Sequence, residues 1–263
     1  MARKIIGVII MVVLFIIGCF AGTMFYKQYA DAKSSATTFE ELQEQIKNTD
    51  ELLNSEDEQS TTEDSENTPA ETEPTVFDKY RPLQEQNSDM VGWIFIEGTE
   101  INYPVMQTRN NPDYYLKHSF DKTWSDYGVP YVDEACTVGI SNNLVIYGHN
   151  MKNGSMFSGI VQYKSKEFFE VHPIICFDTV DEPGQYQVIA AFRYNTNNET
   201  FKYNERSDMD EAEFAEYVAS CKSRSIYDTG VTAEYGDMLI TLSTCEYTYT
   251  NGRFVVVAKK IVE

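Results

Sequence analysis

The longest apolar run in the chain lies near its start. From Ile5 to Phe25 there are 21 positions without a charge, preceded by Arg3 and Lys4. A helix of that length spans about 31 Å, enough to cross a hydrocarbon core of ~30 Å. Phe39, Leu42 and Ile46 then recur at spacings of three and four, with Glu40, Glu41 and Glu44 between them, which predicts a short amphipathic helix. After about Val76 the pattern changes to short runs rich in Val, Ile, Tyr and Phe, separated by turns. Following a helical lead-in over Tyr80–Met90, it predicts strands at Gly92–Ile96, Ile101–Val105, Val129–Val132, Leu144–Tyr147, Ile174–Phe177, Tyr186–Phe192, Met238–Leu242 and Phe254–Ile261. Asp208–Lys222 has a helical period through Met209, Ala212, Phe214, Tyr217, Val218 and Cys221, with Asp208 or Ser207 as its N-cap. Eight short strands and few helices predict a mainly β domain closed, or nearly closed, into a barrel that leaves no free edge.

Charge divides the chain further. The 263 residues carry 41 acidic and 21 basic groups, a formal net charge of −20. Residues 50–76 hold ten acids, no Lys or Arg and no aromatic residue, with Pro69 and Pro74 near their end. Such a segment cannot bury enough apolar surface to offset its ordering entropy, and its charges repel one another. The expected organisation is a membrane anchor over 1–26, a short helix and disordered acidic stalk over 27–76, and a folded domain over 77–263 that retains a charge of −11. The basic pair before the anchor favours a cytoplasmic N-terminus with the domain outside. A cleaved signal peptide remains an alternative, although the run exceeds the usual core of about 7–15 residues and no A-x-A site follows. Ile16-Ile17-Gly18-Cys19 is also lipobox-like and would put a lipid on Cys19. Such acidity argues against a nucleic-acid partner. Five cysteines argue against a disulfide framework, and no closely spaced Cys or His pair calls for zinc or any other cofactor.

Three side chains fall at strand ends. Cys245 closes the strand Met238–Thr244, His149 follows Leu144–Tyr147 in the step Gly148-His149-Asn150, and Arg253 opens the terminal strand after Asn251-Gly252. A thiol activated by an imidazole is a nucleophile, and a guanidinium stabilises the oxyanion formed on an attacked carbonyl. Together they hold the parts for acyl transfer. Taken singly, each has a structural reading: a buried Cys is usually a small hydrophobe, a His or Arg usually a surface or packing residue. Cys136, Cys176 and Cys221 fit that reading, and His118 and His172 remain competitors for His149.

Thr241-Leu242-Ser243-Thr244-Cys245 resembles the TLxTC signature of sortases, and Arg253 with the Phe-Val-Val-Val-Ala-Lys that follows resembles their terminal strand. Tyr147-Gly148-His149-Asn150-Met151 with Gly154-Ser155-Met156-Phe157 resembles the histidine segment of class B sortases. Gly92-Trp93-Ile94, Ile101–Val105 and Tyr114-Tyr115-Leu116 fit the same class. The similarity runs from about Phe77 to Ile261. It implies an eight-stranded sortase barrel with a helical insertion at Asp208–Lys222. It also implies a membrane-anchored cysteine transpeptidase of a Gram-positive type of cell. Cys245 would attack the carbonyl of a Thr in the C-terminal sorting signal of a surface protein. His149, as imidazolium, would protonate the departing amine, and Arg253 would stabilise the oxyanion. An amine of a cell-wall precursor would resolve the thioester. By the same matching, Leu116, Tyr147, Ser243, Thr244 and Glu246 are candidate substrate contacts, with packing or turn formation as the alternative for each. No aromatic-tipped Asp-Pro lid precedes the domain and no second span follows Ile261, unlike the pilin-polymerising class. A thiol hydrolase that releases its product to water, and a surface binding module on a stalk, remain the competing functions.

Overall fold

The computed structural model describes residues 2–60, 76–197 and 200–262. The first element, α1 (Ala2–Ser60), is one unbroken helix. Its apolar run is long and apolar enough to cross a membrane, and its large side chains from Ile5 to Phe25 are exposed. The anchor and the amphipathic helix, expected as separate pieces, are continuous because no Gly or Pro occurs from Thr23 to Ser60 to interrupt them. Phe39, Leu42 and Ile46 are buried against the domain. The Phe39 ring stands edge-on 4.9 Å from Tyr103, and Gln43 Nε2 donates to the Asn102 carbonyl at 2.8 Å. Nearer the apolar run, Asp31 accepts from Ser125 Oγ at 2.7 Å and from the Asp126 N–H at 2.8 Å. This part of the expected stalk is therefore a strut clamped to the domain. The rest of the expected acidic linker, 61–75, lies outside the described residues.

The chain returns along the strut as α2 (Val76–Gln86), where Lys79 pairs with Asp50 at 2.8 Å and Tyr80 donates to Asp178 at 2.7 Å. Eight strands follow: β1 (Met90–Phe95), β2 (Asn102–Met106), β3 (Tyr131–Val132), β4 (Asn143–Tyr147), β5 (Ile174–Thr179), β6 (Gln185–Asn195), β7 (Leu239–Glu246) and β8 (Gly252–Lys260). They close into a barrel in the order β1-β2-β3-β4-β7-β8-β6-β5. Leu239–Thr244 of β7 and Phe254–Ala258 of β8 are buried at every position, as expected of strands covered on both faces. β7 runs parallel to β4 and antiparallel to β8.

Helical pieces complete the cover, among them a 3-10 turn at Tyr114–Leu116 between β2 and β3. Phe157–Lys164 is a 3-10 helix whose Phe157, Ile160 and Tyr163 are fully buried at a spacing of three, the period of that helix rather than of an α-helix. A short helix, α3 (Lys166–Val171), follows. The α4 helix (Glu211–Arg224) buries Phe214, Tyr217, Val218 and Cys221, while Ala212 is exposed. Its N-cap is Asp210 rather than Asp208 or Ser207. The Asp210 carboxylate accepts from the Glu213 N–H at 2.9 Å and Glu213 Oε2 accepts from the Asp210 N–H at 3.2 Å. Glu213 lies three residues on, so only a cap at 210 completes this reciprocal pair.

If the strut is clamped by its apolar face, Leu42→Ala should cost about 2–5 kcal/mol of local stability. Hydrogen exchange should show lost protection in the strut around residues 36–48 with the barrel strands unchanged; unchanged protection in the strut would contradict this packing.

Candidate active site

Cys245, Arg253 and His149 meet at the barrel end where β4 and β7 finish and β8 begins. Cys245 and Arg253 are direct cross-strand partners in the β7–β8 register. Their side chains therefore leave the same face, with Cα atoms about 4.5–5.5 Å apart. His149 lies two residues beyond β4, whose last residue, Tyr147, pairs with Ser243. Past the strand end the β4 chain stays attached to β7. The Gly148 N–H donates to the Ser243 carbonyl at 3.2 Å, Thr244 Oγ1 donates to the Gly148 carbonyl at 2.6 Å, and Asn150 Nδ2 donates to the Cys245 carbonyl at 2.8 Å. Gly148 is required by close approach, because a Cβ there would sit 2.5 Å from the Phe157 ring. The His149 carbonyl accepts the Phe157 N–H at 2.8 Å, which fixes the turn from the other side.

The imidazole is oriented as firmly as its backbone. Nε2 lies 2.8 Å from the Leu116 carbonyl. A carbonyl can only accept, so Nε2 carries the proton and Nδ1 is left as the basic nitrogen. Burial holds the His149 pKa below the ordinary imidazole value; the Leu116 hydrogen bond and Asp126 oppose this, and Lys117 adds to it. Burial thus disfavours the charged form of this ring. His118 stacks on Tyr114 at 3.8 Å, and His172 sits beside Phe168 at the end of α3. Neither lines the cleft that holds Cys245.

That cleft measures about 500 Å³. Cys245, His149, Arg253, Leu116, Tyr147, Ser243 and Thr244 all line it, so most of the residues singled out from sequence are brought together. Glu246 is the exception. Its carboxylate lies 3.6 Å from Arg193 Nε and accepts the Thr248 N–H at 3.0 Å. The cleft is also lined by Asp113, Tyr131, Asp133 and Tyr203, which the sequence did not indicate. Tyr131 donates to Asp113 at 2.6 Å and Tyr147 to Asp133 at 2.8 Å. Burial, reinforced by these carboxylates, pushes both phenols well above their usual range. Tyr203 shares a 2.7 Å hydrogen bond with Ser243 Oγ and is pushed up to about 12 by burial, with Arg253 pulling it the other way. Tyr203 comes from an irregular segment with no periodicity, so no pattern in the sequence marked it. Cys136 and Cys221 are buried, and burial raises both thiols to about 12; Cys176, half-buried on β5, is raised to about 11. Among the described residues no group of three or more His, Cys, Asp or Glu is arranged to hold a metal ion.

Comparison with known proteins agrees with this architecture. The sortase-domain family model matches residues 94–261. Sortase B of Listeria monocytogenes is 36% identical over 191 residues, covering 72% of this chain and 76% of that protein. A Staphylococcus aureus sortase B–substrate complex superposes with a TM-score of 0.73 at 29% identity, covering 88% of this chain and 98% of that one. A sortase B complexed with triglycine superposes with a TM-score of 0.72 at 28% identity, covering 88% and 98%. The barrel with its parallel β4–β7 seam thus has its counterparts among cysteine transpeptidases, and the chain belongs to the sortase family, in class B.

Proposed function

We propose that this chain cleaves a C-terminal sorting signal of a surface protein after its Thr and transfers the acyl group to an amine of a cell-wall precursor. The observation that carries this reading is the cross-strand pairing of Cys245 with Arg253 in a cleft that His149 also lines. Two similar proteins support it: one S. aureus sortase B was solved with a substrate, and another sortase B with triglycine, a peptide that begins with a free amine.

The chemistry follows from the groups present. Cys245 Sγ attacks the Thr carbonyl while the thiol proton passes to Nδ1 of the neutral His149. The carbonyl oxygen becomes an oxyanion beside the Arg253 guanidinium, whose charge is worth most in a partly dehydrated cleft. As the C–N bond breaks, His149 returns its proton to the departing amine and a thioester remains on Cys245. The acceptor amine then attacks the thioester, loses a proton to His149, and expels the Cys245 thiolate, which recovers that proton. The imidazolium is thus formed and consumed within each half of the turnover. Leu116 and Tyr147 contact the signal peptide, Ser243 and Thr244, buried and hydrogen-bonded to Tyr203 and Gly148, shape the floor of the cleft beneath it, and Glu246 pairs with Arg193 at the strand end. We place the anchor at 1–26 with its N-terminus in the cytoplasm, and the catalytic domain outside the cell as an extension of α1.

Arg253→Ala should lower kcat by roughly 10²–10³-fold, the usual cost of an oxyanion donor, with a smaller change in KM. Under saturating amine, the products should be joined peptides; purely hydrolytic products would favour the hydrolase reading. In an NMR titration, His149 should titrate below 6.5, the ordinary value. Lys117→Gln removes a positive neighbour that disfavours the imidazolium, so it should move that midpoint upward; a downward or absent shift would contradict the assignment of its cause.

A further inference from the structure

The chain has two tryptophans. Trp93 is buried in β1 and donates from Nε1 to Asn102, whereas Trp124 is 68% exposed. One exposed aromatic side chain is ordinary on a protein surface; what distinguishes this one is its position along α1. Its neighbours Ser125 and Asp126 bind Asp31. Moving away from the apolar run, α1 next meets Tyr103 through Phe39, Asn102 through Gln43, and Lys79 through Asp50. The loop 117–126 is therefore the first part of the domain that the helix reaches. Asp31 lies six residues beyond Phe25, about 9 Å along the helix axis. The headgroup layer on each side of a ~30 Å core is about 5–8 Å thick, so a side chain one residue from Ser125 can reach it. Tyr26 and Tyr29, both exposed on α1, lie at that depth.

The exposure of Trp124 is built into a fastened loop. The Ser119 N–H donates to the Thr123 carbonyl at 2.8 Å, and Lys117–Asp126 and Lys122–Asp89 are ion pairs at 2.8 Å. His118, stacked on Tyr114, meets the Trp124 ring edge-on at 5.7 Å. We infer that Trp124, with Tyr26 and Tyr29, docks the loop 117–126 into the headgroup layer of the bilayer that α1 enters. The occupant of this surface is lipid, and the inference rests on the reading of α1 as a membrane span. Trp and Tyr settle at that depth because an apolar ring carries one polar atom. The two lysines of the loop, Lys117 and Lys122, are both paired with carboxylates, so an uncharged aromatic contact suits this surface. The same loop follows Leu116, whose carbonyl orients His149. Docking therefore sets the height of the cleft above the membrane.

The test uses the full chain reconstituted in vesicles of phosphatidylcholine and phosphatidylglycerol that carry a nitroxide-labelled lipid near the headgroup. The long-wavelength emission of Trp124 should be quenched by the lipid nitroxide and shielded from aqueous acrylamide. Trp124→Ala should remove the lipid-quenchable emission and leave that of Trp93. Acrylamide quenching without nitroxide quenching, in a chain that floats with the vesicles and resists carbonate extraction, would overturn the inference alone. A chain that carbonate extracts would overturn the membrane-span reading and this inference together.

Discussion

The site depends on the register of β7 between its two neighbours. A one-residue slip would turn every side chain of a strand to its other face, taking Cys245 out of the cleft and away from Arg253. Side chains lock that register as well as the ladder does. Thr241 Oγ1 is hydrogen-bonded to Asn143 at 2.8 Å and to Tyr217 of α4 at 2.7 Å. Ser243 is held by Tyr203, and Thr244 by the Gly148 carbonyl. All of these are buried polar groups with partners, and no buried side-chain nitrogen or oxygen among the described residues lacks one. Removing one partner leaves the other unsatisfied, at a cost of about 1–3 kcal/mol, so the register is specified several times over.

The electrostatics follow from the same placement. In an acidic chain, Arg253 is the only side chain among the described residues that lines the cleft with a permanent positive charge. Two of the carboxylates around it, Asp113 and Asp133, are engaged by tyrosine hydroxyls. Burial lowers the His149 pKa, while the hydrogen bond to the Leu116 carbonyl opposes that shift and fixes the tautomer. Positive charge at the proposed reaction centre is therefore supplied by one fixed guanidinium and by a proton that arrives when a thiol gives it up.

Much of this was legible in sequence because β-strands display their ends. Cys245, His149 and Arg253 each follow or open an apolar run, and the eight runs define a barrel whose strand ends can converge. What sequence concealed has identifiable physical causes. The continuity of α1 was hidden because the acidic residues around Phe39, Leu42 and Ile46 give the composition of a solvated stalk, although a helix can bury its narrow apolar face on a neighbour. Phe157, Ile160 and Tyr163 follow a period of three, which matches neither the helical nor the strand pattern. Asp208 with Glu211 has the same capping spacing as Asp210 with Glu213, so the pattern alone does not choose between them and the hydrogen bonds at Asp210 do. Glu246 follows the Thr-Cys pair of the signature, and its ion pair with Arg193 is a tertiary contact that the signature does not report. Tyr203 and the Asp113–Tyr131 pair reach the cleft from irregular segments, where position depends on tertiary contacts that no local pattern reports.

The acyl-enzyme offers the most direct test of the proposed chemistry. The full chain would be incubated with a sorting-signal peptide in the absence of added amine, and its intact mass measured with and without hydroxylamine. The expected result is a hydroxylamine-labile mass increase equal to the peptide fragment ending in Thr, mapped to Cys245 and missing from Cys245→Ala. Cleavage with no adduct, or an adduct that persists in Cys245→Ala, would contradict a thioester on that strand end.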